Sequence, residues 1–119
     1  MCGRFTLRER LNRLLDAYGA TVQQTLEDIP LFNICPTNNI FVIRQTDNGR
    51  VLSQMQWGFV PSWANDAKFA PINAVSETVA TKPMFRSAIK KRRCLVAADG
   101  FYEWQKVGGK KVKGDADLP

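Results

Sequence analysis

The 119-residue chain contains no histidine. That single absence removes His-based triads, most zinc catalysis and the commonest general base. Any chemistry here must run on cysteine, carboxylates, lysine or amides. Cysteine is scarce too: Cys2, Cys35 and Cys94 are odd in number and far apart. Such spacing is neither a disulfide framework nor a zinc pattern, so no metal and no cofactor are expected. No apolar run approaches the ~20 residues that span a bilayer. Met1 leads straight into Cys2 and Gly3, without the basic and apolar regions of a secretory signal, so a cytoplasmic protein is expected.

What is present fits one domain with a core: 45% of residues are hydrophobic and 24% charged. The net charge of +6 is uneven, because ten basic and only two acidic residues lie between Lys82 and Lys113. A basic half of this kind suits a polyanionic partner such as nucleic acid, or is simply a solvated face.

Patterning points to an α+β fold, mainly antiparallel, with helices outside. Thr6-Leu7-Arg8-Glu9 reads as a capping box opening a helix, with Leu7, Leu11, Leu14, Leu15 and Tyr18 at helical spacing and Gly19 as its stop. Ile40 to Trp57 reads as a β-hairpin turning at Asp47-Asn48-Gly49. A short helix opens at Ser76 and another covers Pro83 to Lys91, with proline in its first turn. Cys94 to Ala98 reads as a buried strand, Asp99-Gly100 as a turn, and Phe101 to Trp104 as a strand. After Trp104 the hydrophobic period fades into glycines and lysines.

Cys2 carries the most chemical information. Removal of Met1, which methionine aminopeptidase performs before a small second residue, leaves an amine of pKa about 8 beside a thiol of about 8.5. The amine condenses with an aldehyde to a Schiff base and the thiol then closes a thiazolidine; alternatively the thiol attacks an acyl carbon with the amine as its base. Gly3 lets the backbone approach a ligand. Glu103 sits among Phe101, Tyr102 and Trp104, where desolvation would raise its pKa toward neutrality; the plainer alternative is a solvated strand position. Asn73, in a proline-bounded loop, orients a substrate or makes a turn. Trp57, Trp63 and Trp104 stack on bases or fill the core. Arg4, Arg86, Lys90, Lys91, Arg92 and Arg93 are phosphate ligands or solvated charges.

Five motifs in order narrow the choice: Met1-Cys2-Gly3-Arg4-Phe5, Asn33-Ile34-Cys35-Pro36-Thr37, Gln56-Trp57-Gly58-Phe59-Val60-Pro61-Ser62-Trp63, Asn73-Ala74-Val75-Ser76-Glu77-Thr78 and Gly100-Phe101-Tyr102-Glu103-Trp104. Together they resemble the SOS response-associated peptidase (SRAP) family, abasic-site-sensing proteins, over residues 2 to about 111. The resemblance implies a barrel or sheet core that holds single-stranded DNA and crosslinks an abasic site through Cys2. It also implies self-processing peptidase and lyase-type activity in the DNA damage response, at the nucleoid when bound to DNA. By position, Cys2, Asn73 and Glu103 take the catalytic roles. Arg4, Asn33, Pro36, Trp57, Trp63, Arg86 and Trp104 take DNA-binding positions.

The chain departs from the family pattern in two ways. Val75 stands where the family has an arginine that contacts the DNA backbone, and one lost phosphate contact lowers the salt dependence of binding by about one unit. Family members also usually exceed 200 residues and carry a catalytic histidine in a second half with further strands. Residues 1–111 are therefore expected to be the N-terminal portion of such a domain, followed by a divergent tail over 112–119. Exposed edges in such a portion favour self-association or a complementing chain. Two other functions remain open: an amide hydrolase with an N-terminal cysteine, since class II glutamine amidotransferases also begin Met-Cys-Gly, and a non-catalytic single-stranded DNA-binding remnant.

Overall fold

In a computed structural model, the protein is described over residues 2–64, 70–107 and 110–117. The chain runs β1 (Phe5–Leu7), α1 (Leu11–Tyr18), β2 (Ala20–Val22), β3 (Leu31–Ile34), β4 (Asn39–Thr46), β5 (Gly49–Gln56), α2 (Arg86–Lys91), β6 (Leu95–Val96), β7 (Gly100–Val107) and β8 (Lys110–Asp117). One four-stranded sheet has the order β3-β1-β7-β8 and the other β2-β5-β4-β6. The class is α+β, as expected, but neither sheet closes into a barrel. All pairings are antiparallel except β2 with β5.

The hairpin of β4 and β5 supplies the core. Ile40, Phe41, Val42 and Ile43 are all buried, so both faces of β4 are covered; on β5 the buried Leu52 opposes Ile43 and the buried Val51 opposes Arg44. The turn uses Asp47 and Asn48, with Gly49 at φ +106°. Helix α1 adds Leu11 and Leu14 to this core and stops at Gly19, whose φ of +59° places it in the left-handed region and whose N–H bonds the Leu15 carbonyl.

The start of that helix overturns the capping-box reading. Phe5 to Leu7 is a strand, and Leu7 lies in it rather than on the helix. Helix α1 begins four residues later, without a cap from its own chain end; the Leu11 N–H instead donates to Asp28 Oδ1 at 3.0 Å. Thr6 and Glu9 look like a cap only because Thr also suits a strand. The Thr6 hydroxyl donates to Asp99 Oδ1 at 2.7 Å, and the N–H groups of Arg8 and Glu9 donate to Asp99 Oδ2 at 2.6 and 3.0 Å.

Asp99 thus clasps the end of β1 to the start of β7. Its partial burial pushes the carboxyl pKa up, but the hydrogen bonds from Thr6, Arg8 and Glu9, with the Arg8 guanidinium, outweigh this and hold it below the ordinary carboxylate range. A depressed carboxylate stabilises the fold above its unfolded pKa of about 3.9 and loses that contribution as pH falls through the lower folded value. Thermal melts are therefore expected to weaken below about pH 4. Asp99→Ala should cost about 1.5–3 kcal/mol at neutral pH and flatten that acid dependence.

Three further expectations change. Residues 76–85 form successive turns, with bonds such as Val79 N–H to Val75 O, so no helix opens at Ser76. Helix α2 begins at Arg86, three residues beyond Pro83. The strand read from Cys94 to Ala98 shrinks to β6, and it is not buried: Leu95 and Val96 are 58% and 49% exposed because β6 is an edge strand with only β4 beside it. Beyond Trp104 the fading hydrophobic period hides a hairpin, in which β7 reaches Val107 and β8 returns to Asp117. Cross-strand backbone bonding needs no apolar alternation. Leu118 and Pro119 lie outside the described residues. No helix among the described residues is long and apolar enough to cross a membrane.

Candidate active site at the N-terminal cysteine

Strand β1 lies between β3 and β7, so Cys2 arrives at the rim of a sheet already fixed on both sides. Phe5 pairs with Phe101 on β7 and with Ile34 on β3, and the Tyr102 N–H donates to the Arg4 carbonyl at 3.0 Å. The opposite wall comes from the end of β5. There Gly58, at φ +138° and with an Ala70 Cβ only 3.3 Å from where its own Cβ would lie, lets the chain turn away. The Phe59 N–H then bonds the Pro71 carbonyl at 2.9 Å, and the Trp57 indole N–H bonds the Ile72 carbonyl at 3.0 Å. These two bonds carry Asn73 to Cys2.

Asn73 Nδ2 donates to the Cys2 carbonyl at 2.8 Å. Both residues line a hollow of about 540 Å³ whose other walls are apolar, among them Phe5, Trp57 and Phe101. The Cys2 thiol points to the Arg4 carbonyl at 3.6 Å. Among the described residues that line the hollow, the polar side-chain groups are the Cys2 thiol, the Asn73 amide and the Trp57 indole N–H, the last already bonded to the Ile72 carbonyl. Of the other thiols, Cys35 leans on the Asn33 carbonyl at 3.6 Å, and burial pushes the Cys94 thiol pKa up, which reduces its thiolate fraction.

Of the remaining candidates, Trp57 lines this hollow and the others do not. Glu103 is half-buried and stands two residues beyond Phe101, on the same face of β7 by alternation. Trp57 packs against Phe5 with ring centroids 5.2 Å apart, so one part of its ring is in the core and another in the wall of the hollow. Trp63 is 67% exposed and lines a neighbouring hollow that it shares with Asn73 and Val75. Arg4 donates to Asn33 Oδ1 at 3.1 Å, and Pro36 is half-buried in the turn before Thr37. Trp104 falls on the face of β7 opposite to Phe101, away from the hollow. Arg86, at the start of α2, is exposed and does not line the hollow.

Asp99 and Asp28 escaped the sequence reading because each acts through backbone N–H groups distant in the chain. No local spacing reports such a contact.

The backbone path is shared with proteins of known structure. A Bacteroides thetaiotaomicron protein superimposes with a TM-score of 0.79 at 23% identity, over 94% of this chain and 52% of its own. A phage-related protein from Bordetella bronchiseptica gives 0.74 at 28% identity, over 96% and 53%. The family model of the SOS response associated peptidase (SRAP) matches residues 1–114, and the chain belongs to this family. It is 36% identical over 115 residues to the abasic site processing protein YoaM of Bacillus subtilis, covering 92% of this chain and 50% of that protein. It is 30% identical to the abasic site processing protein YedK of Escherichia coli, covering 93% and 51%. The chain thus spans about half the length of these relatives.

Proposed function

We propose that this chain captures abasic sites in single-stranded DNA by a covalent bond through Cys2, once Met1 has been removed. The observation that carries this reading is the Asn73 to Cys2 hydrogen bond at the mouth of an apolar hollow. This bond joins residues 71 positions apart and fixes the backbone of the chain's second residue. The names of the relatives supply the substrate class, and the basic stretch from Lys82 to Lys113 supplies charge for its backbone.

The chemistry balances without an oxidant or a metal. Hydrolysis of the Met1–Cys2 peptide bond consumes one water and frees the α-amine, which is the peptidase step in this reading. The amine attacks the aldehyde carbon of the ring-opened abasic sugar, giving a carbinolamine. Loss of one water gives an imine, and the Cys2 sulfur adds to the imine carbon to close the five-membered thiazolidine as the nitrogen gains a proton. Asn73 holds the Cys2 carbonyl so that amine and thiol stay on the side of the hollow. Glu103 moves the protons of carbinolamine dehydration.

A denaturing gel of the protein with abasic and with undamaged single-stranded oligonucleotides tests this. A retarded band that survives denaturation, with the abasic strand only, is the expected result. Reversible binding without such a band would leave the binding-remnant reading, and release of ammonia from glutamine would favour the amide hydrolase.

A further inference from the structure

The hollow that Cys2 lines draws its walls from several parts of the chain, and those walls are chemically uniform. Ile40 comes from β4, Val96 from β6, Ala98 from the segment before β7 and Ile72 from the loop that carries Asn73, joining the rings described above. Among the described residues, none that lines the hollow is charged. Its two side-chain nitrogens already donate to backbone carbonyls, the Trp57 indole to Ile72 at 3.0 Å and Asn73 Nδ2 to Cys2 at 2.8 Å. Its volume of about 540 Å³ lies within the range of about 300–1,000 Å³ usual for small-molecule sites.

An amine and thiol at such a wall choose among aldehydes by the tail that the wall can cover. Methylenes that leave water for aliphatic and ring surface gain free energy in proportion to the area buried. A hydroxyl-bearing tail would instead give up bonds to water that these walls do not replace. Val96 is half-exposed on edge strand β6, so that end of the hollow is open to a ligand from solvent.

We infer that Cys2 and this hollow form a capture site for free aliphatic aldehydes of medium chain length. The inference rests on the abasic-capture reading for the free α-amine of Cys2 and departs from it in the ligand. The amine adds to the aldehyde carbon, one water leaves to give the imine, and the Cys2 sulfur adds to the imine carbon while the thiol proton passes to the nitrogen. No oxidant or further reactant is needed. The thiazolidine carries the alkyl chain on its new ring carbon, and that chain lies along Ile40, Ile72 and Ala98.

Intact mass spectrometry under denaturing conditions reads the adduct as the aldehyde mass less one water, and the same spectrum reports the loss of Met1. The probes are propanal and heptanal at equal low concentration, with a synthetic peptide of residues 2–5 as the reference for intrinsic reactivity. Each buried CH₂ is worth roughly 4-fold, so covering half of the extra methylenes should make the protein favour heptanal by about 15-fold over the peptide's own preference. Ala98→Leu and Val96→Phe, which fill the hollow without touching Cys2 or Asn73, should each flatten that preference; two separate positions and their melting temperatures guard against misfolding as the cause. A heptanal-to-propanal ratio equal to the peptide's would overturn the inference, and so would a preference that both filling variants retain. A purified chain that keeps Met1 and takes up neither aldehyde would overturn this inference and the capture reading together. If the protein crosslinks abasic DNA but treats the two aldehydes as the peptide does, the capture reading stands and the aldehyde site fails. If it favours heptanal yet forms no adduct with abasic DNA, the capture reading fails and the aldehyde site stands.

Discussion

Cys2→Ala is expected to eliminate the denaturation-resistant adduct while leaving reversible DNA binding within a few-fold. The amine of such a variant still condenses with the abasic aldehyde, but without a thiol the product stops at an imine that water reopens. In the proposed reaction the thiazolidine is favoured because capture by a thiol only two carbons from the amine nitrogen is intramolecular and escapes the entropy of bringing two molecules together. Phosphate contacts from arginines and lysines are untouched by the change. Cys35 and Cys94 remain in this variant as internal controls: neither has an α-amine beside its thiol, and the Cys94 thiol is held less acidic than usual. Denaturing gels with and without borohydride check the result. A borohydride-dependent band in Cys2→Ala, against a borohydride-independent one in wild type, is the expected pattern. A stable, heat-resistant adduct at full yield from Cys2→Ser would overturn the assignment of the thiol.

Glu103→Gln should slow adduct formation by about 10²–10⁴-fold, the usual worth of one positioned acid–base group. The chain offers no histidine to take over proton transfer. Glu103 occupies the alternate position of β7 next to Phe101, which itself lines the hollow with Cys2. Glutamine keeps the size but cannot give up or take a proton, so reversible binding should hold while the rate falls. Time courses of adduct formation by the two proteins on one abasic oligonucleotide check this. Equal rates for the two proteins would remove Glu103 from the chemistry.

The parts of this fold that were legible in the sequence are those decided by neighbours in the chain. The β4–β5 hairpin was readable because Ile40 to Ile43 and the Asp47-Asn48-Gly49 turn determine pairing within 18 residues. Gly19 announced the end of α1 for the same reason. The start of α1 was misread because its cap, Asp28, comes from a loop 17 residues away, while the Thr6 hydroxyl goes to Asp99, 93 residues away. Edge strands deceive in another manner. Leu95 and Val96 have the composition of a core strand, and only the absence of a second neighbour in the sheet leaves them half in water. At the site, motif order singled out Cys2 and Asn73, and the structure brings them to 2.8 Å across the Cys2 carbonyl. The opposite orientation of Trp104 follows from strand alternation, which separates it from Phe101 on β7.

The clasp at Asp99 and the pairing of β1 with β7 set an order of events during synthesis. The first strand of the chain is bracketed by β3 and β7, and β7 begins only at Gly100. At about 5–20 residues per second, roughly 5–20 s elapse between the appearance of Cys2 and that of its last partner strand. Throughout that interval the N-terminus has no finished sheet to enter and stays open to processing enzymes at the ribosome. The segment around Cys2 is made early and its sheet is completed late, so the hollow that Cys2 lines does not exist until β7 has been made.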